Sequence, residues 1–197
     1  MAFLRDKFLR GARTGLLGLC LALSFLAAPA ASAAEHAPAT SAEYQLKAVF
    51  LFNFAQFVEW PQAASNGASP FVIGVIGEDP FGPYLDRLVA GEKVGTRSLV
   101  IRRVHTAEQA ATCQVLFVSK SEGTNLANLL DQLKGQPVLT VGDTENFNRV
   151  GGMIRLVTEN GKIGLRIDVE VATAANLKIS SKLLRFATLV GPGRSER

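Results

Sequence analysis

The chain has 197 residues, with 21 basic against 17 acidic side chains, 48% hydrophobic residues and two cysteines. Four of the bases and one acid lie in the first 33 residues, so the remainder is nearly neutral, with seventeen against sixteen. That balance excludes the strongly basic class that holds nucleic acid or an anionic membrane surface. Beyond Cys20 only Cys113 is left, so no internal disulfide can form in the chain from residue 34 onward.

Residues 1–33 read as a secretory signal peptide. Arg5, Lys7, Arg10 and Arg13 form the positive stretch, Thr14 to Ala28 the apolar run, and Ala31-Ser32-Ala33 the small-residue cleavage site. The run is shorter than the roughly 20 residues that cross a bilayer, and bulky Leu19 before Cys20 argues against a lipid anchor. Residues 34–43 read as a flexible leader and residues 44–190 as one domain of suitable size, with a short tail at 191–197.

The domain opens on YQLKAVFLFNFAQFVEWP, Tyr44 to Pro61, expected to be a helix apolar nearly all round and broken only by Gln45, Lys47, Asn53, Gln56 and Glu59. Each aromatic in it stabilises by roughly 1.5 to 3 kcal/mol if fully buried. The residue before a proline is pushed out of the α region, which places the helix stop at Trp60-Pro61. A turn-rich connection at Gln62 to Pro70 leads to a strand at Phe71 to Ile76, a helix at Phe81 to Val89 and a strand at Ser98 to Val104. Next come a helical turn at Thr106 to Ala111, a strand at Val115 to Val118, a helix at Thr124 to Leu133 and a strand at Val138 to Val141. Continuous apolar strands alternating with helices predict a three-layer α/β sandwich, its mostly parallel sheet flanked by helices on both faces. Cys113 heads one of these strands and reads as a buried small hydrophobe.

Met153 to Thr158 and Lys162 to Val169 flank Asn160-Gly161 and predict a hairpin with a type I′ turn. The last stretch, Glu170 to Val190, reads as two helices. Asn176 ends the first in a left-handed conformation, Ser180 caps the second with Ile179 and Leu184 as its staple, and Gly191-Pro192-Gly193 stops it.

Ligands of parallel α/β sheets bind beyond the carboxyl ends of the strands. Glu78, Asp79, Ser119, Lys120 and Asp143 should gather there, either as a polar-solute or cation site or as ordinary caps at helix starts. The Glu78-Asp79 pair resembles the magnesium-binding acids of receiver domains, but no aspartate comes after Val115 to Val118 to take a phosphoryl group. No serine elbow, phosphate loop or GxGxxG is present, and His36 and His105 stand apart, so neither a catalytic set nor a metal set can be drawn. No cofactor is expected.

KAVFLFNFAQFVEWP at Lys47 to Pro61 resembles the opening signature of the YfiR family of periplasmic proteins. FVIGVIGEDPFGPYL at Phe71 to Leu85, CQVLFVS at Cys113 to Ser119 and LKISSKLLRFA at Leu177 to Ala187 resemble its later blocks in the same order. The resemblance implies a non-enzymatic periplasmic regulator that docks on the periplasmic sensory domain of an inner-membrane diguanylate cyclase or sensor kinase. In the cyclase case it would hold cyclic-di-GMP synthesis down. It also implies a homodimer. The family's disulfide control does not carry over to a chain left with Cys113 alone. Asp168 stands where the family often has asparagine, at a strand position expected to be wet, and Asn176 where it often has glycine. The docking surface is expected beside the aromatic helix and the hairpin, with Phe57, Glu59, Trp60, Arg166 and Asp168 as partner-binding residues. A periplasmic small-solute binding module, using the sheet-edge loops, is the alternative.

Overall fold

The computed structural model describes residues 41–61 and 69–191. The expected signal peptide, the leader up to residue 40, the Asn66-Gly67 turn and the tail from Pro192 lie outside the described residues. The first helix, α1, spans Ala42–Phe57, two residues earlier than the sequence suggested, because the Ser41 hydroxyl accepts from the Tyr44 N–H as its N-cap. Its buried stripe is Lys47, Ala48, Leu51, Phe54 and Ala55. Burial is less complete than expected: Phe50, Phe52 and Phe57 are only partly covered and Leu46 is 41% exposed.

The helix also ends earlier than Pro61. Val58–Glu59 is extended as strand β1 and pairs antiparallel with β9, Lys178–Ile179, while the Ser180 N–H donates to the Phe57 carbonyl. A partner far along the chain, rather than the Trp60-Pro61 step, sets this boundary.

The main sheet contains β2 (Phe71–Ile76), β3 (Lys93–Val94), β4 (Arg97–Val104), β5 (Val115–Val118), β6 (Leu139–Gly142), β7 (Ile154–Glu159), β8 (Lys162–Asp168) and β10 (Ala187–Val190), in the order β10-β8-β7-β6-β5-β2-β4-β3. From β4 to β7 the strands are parallel. β3 and β8 run antiparallel to their neighbours β4 and β7, and β10 lies parallel to β8. The mixed, mostly parallel sheet between helices is the expected α/β architecture. The helices are α2 (Pro83–Val89), α3 (Ala107–Ala110), α4 (Leu126–Gln132), α5 (Val169–Ala174) and α6 (Ser181–Leu184).

Alternation along the strands builds two cores. Phe71, Ile73, Val75, Val115, Phe117, Leu139, Val141, Ile154, Leu156, Leu165 and Ile167 point to the face covered by α1, α2 and α5. Val72, Ile76, Leu116 and Val118 point to the other, under Ala110, Leu126, Leu129, Leu130 and Phe147. On that second face a Cβ at Gly74 would stand 2.6 Å from the Cys113 sulfur, so glycine lets the thiol close onto the strand. Cys113 is buried as expected, and burial raises its thiol pKa.

The largest departure is at the end of the chain. Asn160 and Gly161 both have positive φ, as a type I′ turn requires, Asn176 is left-handed, and Ser180 accepts from the Lys182 N–H as a cap. The helix after that cap, however, lasts only from Ser181 to Leu184, and Ala187–Val190 is strand β10 at the edge of the sheet. The helical spacing of Leu183, Leu184, Ala187 and Leu189 is overridden by pairing with Leu165 to Asp168 of β8.

Candidate functional site

Two regions carry the candidate residues. At the carboxyl edge of the parallel strands, Asp143 comes just after β6, with a side chain only 1% exposed. Lys47, equally buried in α1, places its ammonium 2.5 Å from Asp143 Oδ2 and 2.5 Å from Glu43 Oε1. The Tyr44 hydroxyl donates to the same Asp143 oxygen at 3.0 Å, and Lys120 approaches it at 3.6 Å. Lys47 also lies over the Tyr44 ring at 4.5 Å, and Tyr44 meets Phe81 edge-on. The Lys47 hydrogen bond, assisted by one from Thr158, lowers the Glu43 pKa, while burial and then the Asp143 charge raise that of Tyr44. Asp143 Oδ1 is buried with no hydrogen-bond partner among the described residues.

The other residues expected at this edge are engaged locally. The Gly77 turn brings the loops after β2 and β5 together: the Glu78 N–H donates to Ser121 Oγ, and the Ser121 N–H donates to Ser119 Oγ. Asp79 has partners of its own. Its Oδ1 accepts from the N–H groups of Phe81 and Gly82, the capping alternative, and its Oδ2 pairs with Arg103, which forks on to Asp86 at 2.6 Å. Arg103 holds the Asp86 carboxyl below its ordinary range, and that bond in turn raises the Arg103 guanidinium. The structure thus joins Lys120 and Asp143 but gives Asp79 to a separate ion-pair network. Sequence reasoning omitted Glu43, Tyr44 and Lys47; the available signal was a lysine among the apolar residues of the first helix.

The second region lies where the docking surface was expected. An apolar groove of about 580 Å³ opens between α1 and the end of the chain, walled by Phe50, Phe57, Ile163 and Leu183 and rimmed by Lys182 and Arg185. Phe186 beside it is 81% exposed, a large apolar side chain left in water. Of the residues expected to bind a partner, Phe57 lines this groove and Glu59 is exposed in β1. Trp60 is committed to packing, donating its Nε1–H to the Gln114 carbonyl and standing edge-on to Phe71 at 5.0 Å. Asp168 is not wet. It is buried and accepts from the N–H groups of Glu170 and Val171 as the N-cap of α5, a role for which the asparagine alternative is also suited. Arg166 alternates with buried Leu165 and Ile167 and so lies on the sheet face opposite α1 and Phe57. The five expected residues therefore do not form one patch.

No helix among the described residues is long and apolar enough to cross a membrane, and no curated protein matches the chain. Among solved structures, it is similar to the ABC domain from Streptococcus pneumonia described in complex with L-Trp. That match has 11% identity and a TM-score of 0.45, and covers 61% of this chain and 55% of that one. It is also similar to a conserved domain protein from Vibrio cholerae, with 13% identity and a TM-score of 0.48, covering 75% of this chain and 60% of that one. The chain thus spans just over half the length of these structures, and neither likeness is close enough to bear on what it binds. A sequence profile matches residues 44–188, from the first turn of α1 into β10, and by that match the chain belongs to the YfiR/HmsC-like family (DUF4154).

Proposed function

We propose that this protein is a non-enzymatic periplasmic regulator that binds the periplasmic sensory domain of an inner-membrane diguanylate cyclase and holds cyclic-di-GMP synthesis down. The observation that carries this reading is the family match across residues 44–188, nearly the whole described domain, to a family that is regulatory and non-catalytic. The apolar groove and exposed Phe186 support a protein partner, since an uncovered aromatic beside an apolar trough is suited to contact. Family membership also supports a homodimer. In physical terms, a domain that binds one state of a receptor more tightly than the other shifts the receptor's equilibrium by that difference in affinity and by no more. Deleting the gene and measuring cellular cyclic-di-GMP tests the reading: a rise that the intact gene reverses is expected, and an unchanged level rejects it.

A further inference from the structure

The second face of the sheet is covered unevenly. Over β2, β5 and β6 it is sealed by the cluster of Ala110, Leu126, Leu129 and Phe147. Beyond β6, at the β7, β8 and β10 end, Gly164 and Thr188 on the same face are exposed. In this open strip Arg155 of β7 and Arg166 of β8 are direct cross-strand partners. Side chains so paired stand about 5 Å apart at Cβ, and like charges there are destabilising. Arg166 has an acid within reach, Glu159 at 3.9 Å. Arg155 Nε is buried and has no hydrogen-bond acceptor among the described residues. A recessed guanidinium donor without an acceptor costs stability, and a second guanidinium beside it adds repulsion. One carboxylate laid across the two would relieve both.

We propose that Arg155 and Arg166 form a carboxylate-binding site that receives an acidic side chain of the regulated protein partner, an assignment that rests on the function proposed above. Two planar forks set side by side match a carboxylate in bidentate fashion, which ammonium groups do not. The site is also recessed, with the Arg166 side chain 22% exposed, whereas attraction to anionic lipid works through long cations standing clear of the surface. The net charge of the strip is complementary to an acid: by strand alternation the cations Arg155, Arg166 and Lys162 share this face with two acids, Glu159 and the capping Asp168.

The test complements the deletion strain with full-length variants while cyclic-di-GMP is measured, the purified proteins being melted in parallel. Arg155→Gln and the Arg155→Gln/Arg166→Gln double variant are expected to lose repression, and Arg155→Lys to keep part of it. The double variant should melt at or above the wild-type temperature, because the opposed charges are gone. Full repression by the double variant overturns the site and leaves the proposed function standing. Lost repression with a lowered melting temperature assigns the arginines to the fold and also overturns the site. No rise in cyclic-di-GMP on deletion overturns the function and the site together. Sedimentation with phosphatidylglycerol vesicles, if seen for wild type and lost in the double variant, would assign the pair to lipid instead.

Discussion

At the carboxyl edge of the parallel strands, Asp143 is gripped by Lys47 and Tyr44, and Asp79 by Arg103. At the hairpin end, Phe186 stands in water and Arg155 Nε has no acceptor among the described residues. The first region directs its polar groups inward to fix α1 and α2 on the sheet; the second leaves apolar and cationic groups facing outward. The difference separates residues that hold the domain together from residues free for contact. It also explains why acids at a sheet edge, the usual place to look for a ligand, are here tied to helices.

The inward-facing network is most sensitive at Lys47. Lys47→Met removes the nearest cation from the buried Asp143 carboxylate, leaving it the Tyr44 hydroxyl and the more distant, exposed Lys120, and should cost about 3 kcal/mol in urea denaturation. The double variant Lys47→Met/Asp143→Leu should recover most of that, and equal losses in the single and double variants would show that the two charges do not act as a pair. A smaller effect tests whether the hairpin end also has a buried acid that acts structurally. Asp168→Ala removes two backbone partners at the start of α5 and should cost about 1 kcal/mol. A loss of repression without any loss of stability would instead return Asp168 to the contact surface.

The smallest effect is a pH dependence. The Glu43 carboxyl is held below its ordinary value of 4.5 by the Lys47 ammonium and the Thr158 hydroxyl, so its contribution is fully present above that value and is lost as pH falls through the folded-state pKa. Glu43→Gln should therefore be slightly less stable than wild type at neutral pH, with the two converging in acid. Denaturation curves at both pH values would check this.

Much of the fold was legible because it comes from local pattern. The runs Phe71 to Ile76 and Val115 to Val118 are strands, Asn160-Gly161 turns the hairpin, and Asn176 and Ser180 behave as their residue types dictate. The two largest failures come from distant partners. Val58–Glu59 leaves the helix to meet Lys178–Ile179, and Ala187–Val190 becomes a strand because the edge of β8 is available. The two-residue strand Lys93–Val94, folding back on β4, was too short to show any period. At the sheet edge, Lys120 and Asp143 could be placed together from strand order alone. That Asp143 would be taken by Lys47 depends on where α1 lies across the sheet, which no spacing within the chain encodes.

The pairing of Val58–Glu59 with Lys178–Ile179, and the bond from Thr158 to Glu43 across 115 positions, join the first elements of the described chain to elements near its end. Contacts so far apart in the chain carry a loop-closure cost that must be met before they can reward folding. A nascent polypeptide ending before Phe186 would have neither an edge strand beside β8 nor the aromatic that flanks the groove. Arrival of β10 beside β8, rather than formation of the first helix, therefore sets the moment at which the domain can lock.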